Sequence, residues 1–263
     1  MNNTSGQHWI LLRGLARESK HWGAFIPQLQ ATFPNAQITL LDLPGTGCYY
    51  QETSPNNITA ITHQVRADAL AKGCLQQPVN LLALSLGAMV AWEWMQCYPE
   101  DISTATLMNT SFANLSPFYQ RLRWQSYQRF ISLAMEANVK QREKKILQLT
   151  SNNSDSNSSV LLDWEKIQAE QPISFKNSLQ QIRAAATYKP SKQKPPCPVL
   201  LLNSLQDRLV SPRCSMAIQQ QWQLELRTHP NAGHDLTLDA GDWVAMQLMD
   251  WQSKQVKTYA RLY

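Results

Sequence analysis

The chain alternates short apolar runs with longer segments whose apolar residues recur at helical spacing. The apolar runs predict strands at residues 8–13, 37–41, 79–84, 105–108, 199–203 and 224–228. Runs of this kind are typical of parallel strands that are buried on both faces. We therefore expect an α/β fold, with a mostly parallel sheet of about six strands and helices on both faces.

The segments between these runs predict the helices. We expect helices at residues 19–29, 57–75, 87–95, from 212 onwards, and 243–251. Ser211 can cap the fourth of them, with Pro212 at its first position. Strand and helix thus alternate along both ends of the chain.

A different pattern occupies the middle of the chain. Residues 112–196 lack a convincing buried strand, and residues 117–149 and 160–188 look helical on either side of a polar loop at 151–159. A Lys- and Pro-rich linker then leads back to the strand pattern. We interpret residues 112–196 as a helical cap inserted into a single core formed by residues 1–111 and 197–263.

Positive charge is concentrated in this insertion. The whole chain has a net charge of +5, whereas residues 112–196 carry 13 Lys and Arg against 6 Asp and Glu, so the remainder is slightly negative. A basic surface can bind nucleic acid or an acidic protein. Zinc-finger and aromatic RNA-binding motifs are missing from the sequence, and we expect no nucleic-acid partner.

The cysteines and glycines argue against a metal or a cofactor. The five cysteines are scattered without metal-ligand spacing, which predicts free thiols in a reducing compartment. The nine glycines form neither a dinucleotide fingerprint nor a phosphate-binding loop. Since there is also no basic leader and no run of membrane-spanning length, we expect a cytoplasmic protein with no membrane span and no cofactor.

Ser85 stands where the strand at 79–84 runs into the helix at 87–95. The sequence around it, Ala-Leu-Ser-Leu-Gly at 83–87, is the Gly-x-Ser-x-Gly nucleophile elbow with Ala83 in place of the first glycine. Small residues two before and two after the serine let strand and helix approach closely. Alone, the motif could equally be a serine that caps a helix, so the interpretation depends on partners elsewhere.

Asp207 and His234 supply those partners. A serine nucleophile needs a base to take its proton and a carboxylate to orient the base, here in the chain order Ser85, Asp207, His234. Each of the three follows a predicted strand, so parallel strands would bring them to one edge of the sheet. Asn109, after the preceding strand, cannot serve as the carboxylate. The developing oxyanion needs two N–H donors, which the motif assigns to the backbone of Leu15 and Leu86.

The segments ILLRGLARESKHW, LLDLPGTG, LALSLGAMVAWEW, NSLQDRLVSP and NAGHD together resemble the α/β-hydrolase superfamily. Within it, the chain looks most similar to small esterases of the pimeloyl-acyl-carrier-protein methyl ester esterase type. Arg13 departs from the pattern, since a histidine usually precedes Gly14. The short stretch before the first strand also implies that the leading antiparallel strands of the superfamily are missing.

The resemblance implies a serine hydrolase that cleaves a carboxylic ester or thioester of a small or medium acyl substrate through an acyl-enzyme. A lyase or C–C hydrolase with the same triad, and a non-catalytic binding scaffold, remain alternatives, because fold and triad do not fix the reaction. Arg13, Phe118 and Trp124 are candidate pocket residues. The basic residues of the cap could dock an acidic acyl carrier protein or could simply be solvated; they include Arg121, Arg123, Arg129, Arg142, Lys144 and Lys145.

Overall fold

A computed structural model describes residues 7–153 and 158–262. Its sheet has six strands in the order β2-β1-β3-β4-β5-β6, and every neighbouring pair is parallel. This confirms the predicted fold class. The strands are β1 (His8–Leu12), β2 (Gln37–Leu41), β3 (Val79–Leu84), β4 (Ile102–Met108), β5 (Val199–Ser204) and β6 (Glu225–His229).

Ten α-helices lie in the described part of the chain, and none of them is long and apolar enough to cross a membrane. The helices are α1 (Phe25–Thr32), α2 (Ile58–Ala71), α3 (Leu86–Cys97), α4 (Phe118–Arg121), α5 (Tyr127–Ala134), α6 (Val139–Thr150), α7 (Ser158–Glu170), α8 (Phe175–Thr187), α9 (Pro212–Trp222) and α10 (Leu236–Leu262).

Alternate side chains of the central strands enter two separate apolar layers, as the two-residue repeat of a strand requires. On β1, Ile10 and Leu12 pack in the layer formed with α2, α3 and α9, whereas Trp9 and Leu11 pack in the layer formed with α1 and α10. All four side chains are fully buried. Helices therefore cover both faces of the sheet.

Two predicted helices are divided by specific backbone features. The helix predicted at 19–29 becomes a short 3₁₀ turn, Ser19–Trp22, and then α1, because Gly23 between them adopts a positive φ of 47°. The helix predicted at 117–149 is interrupted after α4, where the Arg123 N–H donates to the carbonyl of Leu209 at 2.8 Å instead of continuing the helix. A new helix, α6, starts at Val139, and the side chain of the preceding Asn138 caps it by accepting the Gln141 N–H.

The ends of the chain's later elements also differ from the prediction. α10 begins at Leu236 rather than near residue 243, and its backbone leaves helical angles at Ala240. Within the predicted polar loop at 151–159, residues 154–157 lie outside the described residues, and α7 begins at Ser158. The strand predicted at 105–108 extends back to Ile102, where it pairs with Val79.

The parallel arrangement brings five chain segments to one edge of the sheet. Gly14 follows β1, Ser85 follows β3, Asn109 follows β4, Asp207 follows β5, and His234 follows β6. In open α/β sheets, ligands bind at this carboxyl edge. The fold therefore places the predicted site residues in the region where chemistry is expected.

Replacing Gly87 with alanine should push α3 away from β1. A β-carbon at Gly87 would lie 2.5 Å from the backbone oxygens of both Leu12 and Arg13, which cannot move as a flexible side chain would. We expect Gly87→Ala to lower the free energy of unfolding by about 1–3 kcal/mol in urea titration. Gly73→Ala is the control, since a β-carbon there meets nothing within 4 Å and only its φ of 66° opposes the change. An equal or larger loss at Gly73 would contradict the steric explanation.

Candidate active site

Ser85 lies in a sharp turn between β3 and α3. Its φ of 57° and ψ of −114° belong to a region that non-glycine residues rarely adopt, at a cost of about 1–3 kcal/mol. Two hydrogen bonds hold this conformation: the Ser85 N–H donates to Met108 at 2.8 Å, and the Thr110 hydroxyl donates to the Ser85 carbonyl at 2.9 Å. The serine is half-buried and lines a cavity of about 390 Å³.

His234 and Asp207 are joined by a short buried contact. The distance from His234 Nδ1 to Asp207 Oδ2 is 2.7 Å, and both side chains are less than a tenth exposed. The other carboxylate oxygen accepts the backbone N–H groups of Leu209 at 2.7 Å and Val210 at 2.9 Å. These bonds fix the plane of the carboxylate, so that one oxygen is left to orient the imidazole.

Asn109 positions the loop that carries His234, a role the sequence did not indicate. The Asn109 amide nitrogen donates to the carbonyl of His234 at 2.8 Å and to the Ser204 hydroxyl at 3.0 Å. Its amide oxygen accepts the Ser204 N–H at 2.9 Å. Asn109 itself has a positive φ of 46°, a conformation in which asparagine is enriched. One buried amide thus links the ends of β4, β5 and β6.

The two predicted oxyanion donors lie beside the serine. Leu86 is the first residue of α3, where backbone N–H groups have no acceptor within the helix. Leu15 follows Gly14, where an added β-carbon would lie 3.2 Å from the Ser85 β-carbon. The turn around Leu15 is closed by a bond from the Arg17 N–H to the Gly14 carbonyl at 3.3 Å.

Gln181 on α8 supports the same turn from the insertion. Its amide oxygen accepts the Ala16 N–H at 2.9 Å, and its amide nitrogen donates to the carbonyl of Pro44 at 3.2 Å. Asn177, one helical turn earlier, donates to the carbonyl of Gly45 at 3.2 Å. Both side chains are buried, so α8 holds the loop after β1 and the loop after β2 in one arrangement.

Arg13 forms a buried ion pair with Asp235. Its two terminal nitrogens donate to the carboxylate at 3.2 Å and 2.5 Å, and the guanidinium lies 4.9 Å from the centre of the Trp22 ring. Burial alone would raise the pKa of Asp235, but the charge and hydrogen bonds of Arg13, with a bond from Thr237, hold it below 3.8. Since Arg13 precedes Gly14 and Asp235 follows His234, the pair joins the two loops that flank Ser85.

A cavity of about 390 Å³ opens onto Ser85 and His234. Its walls are mainly apolar and come from both the core and the insertion; they include Leu84, Leu86, Met89, Phe118, Leu122, Ile146, Leu149, Trp164, Leu179, Ile182 and Val210. Of the three candidate pocket residues, Arg13 and Phe118 line this cavity. Trp124 does not: its side chain is 64% exposed and it is not among the lining residues. Trp124 begins a short 3₁₀ turn, and most of its side chain is in contact with solvent.

Four of the six basic residues considered for carrier docking are engaged elsewhere. Arg121 and Arg142 line the cavity, Arg123 donates to the carbonyl of Asp207, and Lys145 pairs with Glu136. The other two, Arg129 and Lys144, are exposed. Across the whole insertion, however, nine of the 13 Lys and Arg residues are exposed, so most of its positive charge faces solvent.

The five cysteines are free thiols, as predicted, and two of them, Cys48 and Cys97, are exposed. Across residues 7–153 and 158–262, no group of three or more His, Cys, Asp or Glu side chains is arranged to hold a metal ion.

Removing either member of the Arg13–Asp235 pair should leave the other as a buried charge without a partner. We expect Arg13→Met and Asp235→Asn each to lower the free energy of unfolding by about 3–5 kcal/mol, measured by urea titration. The double variant should lose clearly less than the sum of the two, because it leaves no unpaired charge. Strictly additive losses would show that the two side chains do not stabilise each other.

The stabilisation by Asp235 should depend on pH in a defined direction. A carboxylate whose folded-state pKa is lowered stabilises the fold fully above its unfolded pKa and loses that effect as the pH falls through the folded value. The difference in unfolding free energy between wild type and Asp235→Asn should therefore be largest near neutral pH and shrink below about 3.8. A difference that stays constant down to the acid limit of folding would contradict the lowered pKa.

Comparison with solved structures identifies related folds at low sequence identity. An esterase from Thermogutta terrifontis has a TM-score of 0.71 at 17% identity, covering 95% of this chain and 90% of that one. The esterase RhEst1 from Rhodococcus sp. has a TM-score of 0.74 at 15% identity, covering 95% and 92%. A candidate non-heme bromoperoxidase from Mycobacterium tuberculosis gives 0.74 at 18%, covering 96% and 94%.

No match was found among curated proteins. The structural similarities, all below 20% identity, show the fold alone. The sequence model of the alpha/beta hydrolase family, however, matches residues 9–247, which include all of the six strands except His8, and the three residues Ser85, Asp207 and His234. The chain belongs to the alpha/beta hydrolase family.

Proposed function

We propose that this protein is a serine hydrolase that cleaves a carboxylic ester or thioester with Ser85 as nucleophile. The observation that carries the proposal is the 2.7 Å contact between Asp207 and His234, because His234 lines the same cavity as Ser85. In a serine hydrolase the base must be held in one tautomer by a carboxylate. Asp207, itself fixed by two backbone N–H groups, would keep the proton on Nδ1 and leave Nε2 free to act as the base.

The reaction would proceed through an acyl-enzyme. Ser85 Oγ attacks the acyl carbon while its proton passes to His234 Nε2, and a tetrahedral intermediate forms. The bond to the alcohol or thiol then breaks, and His234 returns the proton to that leaving group. Water, activated by the same imidazole, attacks the acyl-enzyme and releases the acid and free Ser85.

The backbone N–H groups of Leu15 and Leu86 would stabilise the oxyanion. Each such donor contributes roughly 3 kcal/mol of transition-state stabilisation in enzymes where this has been measured. Support for the role of Leu15 comes from the hydrogen bond between Ala16 and Gln181, which holds the next peptide in place. A preorganised donor of this kind costs little reorganisation when charge develops.

The cavity favours an acyl substrate of small or medium size. Its volume of about 390 Å³ and its apolar walls suit a short hydrocarbon chain. Because residues of α5, α6, α7 and α8 contribute to those walls, we propose that residues 112–196 act as a cap that shapes the acyl pocket. Nine of the cap's 13 basic residues are exposed and would suit an acidic carrier protein, so a carrier-linked ester is the alternative substrate.

Ser85→Ala should abolish turnover and labelling together. We expect wild type to react with a fluorophosphonate probe and to hydrolyse 4-nitrophenyl acetate, butyrate or hexanoate, and Ser85→Ala to lose about 10⁴-fold or more in kcat. The labelled peptide, identified by mass spectrometry, should contain Ser85.

Ser103→Ala provides the matched control, since Ser103 is exposed on β4 at a distance from the cavity lining. It should label and turn over like wild type. A wild-type protein that neither reacts with the probe nor hydrolyses any ester of the panel would refute the esterase proposal. A lyase or a binding scaffold would then be the remaining hypotheses.

A further inference from the structure

Of the arginines that line the cavity, Arg121 is the one with no carboxylate of the described chain nearby, whereas Arg17 and Arg142 share Glu143. Four arginines line it: Arg13, Arg17, Arg121 and Arg142. Among the described residues, Arg13 pairs with Asp235 at 2.5 Å, and Arg17 and Arg142 lie 2.6 Å and 4.0 Å from Glu143. No carboxylate of the described chain lies within 4.0 Å of Arg121.

Arg121 is held in place by uncharged acceptors. Its terminal nitrogens donate to the carbonyls of Ala185 and Ala186, the latter at 2.8 Å, and its Nε donates to the Ser111 hydroxyl at 3.4 Å. The two carbonyls belong to the last turn of α8, where the helix dipole is negative and a cation is favoured. These bonds use three of the five guanidinium N–H groups, so two remain for another acceptor.

A cation that is desolvated without a countercharge is unfavourable. Burial accordingly lowers the pKa of Arg121. An anionic group inside the cavity would reverse this effect, and a guanidinium is the side chain best suited to bind a carboxylate with two parallel hydrogen bonds.

Resting on the proposed esterase function, we propose that Arg121 binds a carboxylate carried by the substrate, so that the preferred ester or thioester is an anionic one. Two hydrogen bonds and one peptide link connect Arg121 to Ser85: Arg121 donates to the Ser111 hydroxyl, and the neighbouring Thr110 hydroxyl donates to the Ser85 carbonyl. The carboxylate and the scissile carbonyl would therefore be separated by a short chain. The apolar walls of the cavity would contact the methylene groups between them.

Binding can be measured separately from turnover. In the Ser85→Ala protein, monomethyl glutarate should bind, measured by isothermal titration calorimetry, and methyl pentanoate, its uncharged counterpart, should bind at least about tenfold more weakly. Adding Arg121→Gln should remove most of this preference. Arg129→Gln, which removes an exposed charge from α5, is the matched control and should leave the preference intact.

Turnover identifies which side of the ester carries the carboxylate. The ratio of kcat/KM for monomethyl succinate, glutarate or adipate over the uncharged methyl ester should exceed about 10 and fall at least tenfold in Arg121→Gln, but less in Arg121→Lys. A preference seen instead for the acetate ester of 3-hydroxypropanoate over propyl acetate would place the carboxylate on the alcohol side.

The possible failures are distinguishable. If the wild type labels with the fluorophosphonate probe but Ser85→Ala binds charged and uncharged esters equally, the role of Arg121 is refuted while the hydrolase proposal stands. If carboxylate binding depends on Arg121 but no ester is turned over, the hydrolase proposal fails instead. Because Arg121 also bonds α8, thermal unfolding of Arg121→Gln and Arg121→Lys is measured alongside. If Arg121→Gln is unfolded, Arg121→Lys decides the question. A folded Arg121→Lys that keeps part of the preference supports the proposal, and a folded Arg121→Lys with no preference refutes it.

Discussion

The buried ion pair between Arg13 and Asp235 connects the two loops on which the proposed chemistry at Ser85 depends. One loop carries the Leu15 N–H and the other carries His234, and they belong to strands that are separated by three others in the sheet. A guanidinium with two bonds to one carboxylate fixes both the distance and the orientation of its partners. For the proposed reaction, in which displacements of about 1 Å would change the rate strongly, such a connection matters more for geometry than for net stability.

A second buried pair performs a similar task between core and insertion. Arg17, on the same loop as Arg13, donates to Glu143 of α6 at 2.6 Å and to His21 at 2.9 Å, and its guanidinium lies over the Trp164 ring. Burial and the nearby arginines hold the pKa of His21 well below 6.5, so the ring is neutral and can accept this bond. Arg17 therefore gives the insertion a fixed position relative to the loop that carries Leu15.

The parts of the structure that could be predicted from sequence are those set by local pattern. The six strands follow from apolar runs, and the positions of Ser85, Asp207 and His234 at one edge follow from parallel topology. The roles of Gln181 and Asp235 could not be predicted, because their partners are 165 and 222 residues away. The breaks in the insertion have the same origin: the Arg123 N–H leaves the helical pattern to bond Leu209, a tertiary contact that no helix propensity contains.

Asn109 shows why the carboxylate of this site stands after β5. At the end of β4, the side chain must donate to the carbonyl of His234 and also accept the Ser204 N–H. An ionised carboxylate can only accept hydrogen bonds. An aspartate here would place a carboxylate oxygen against the carbonyl oxygen of His234, and the loop would lose its hydrogen bond. An amide satisfies both partners without charge. The end of β5 then remains as the place where a carboxylate can reach His234 Nδ1, and there the N–H groups of Leu209 and Val210 are available to bind its second oxygen.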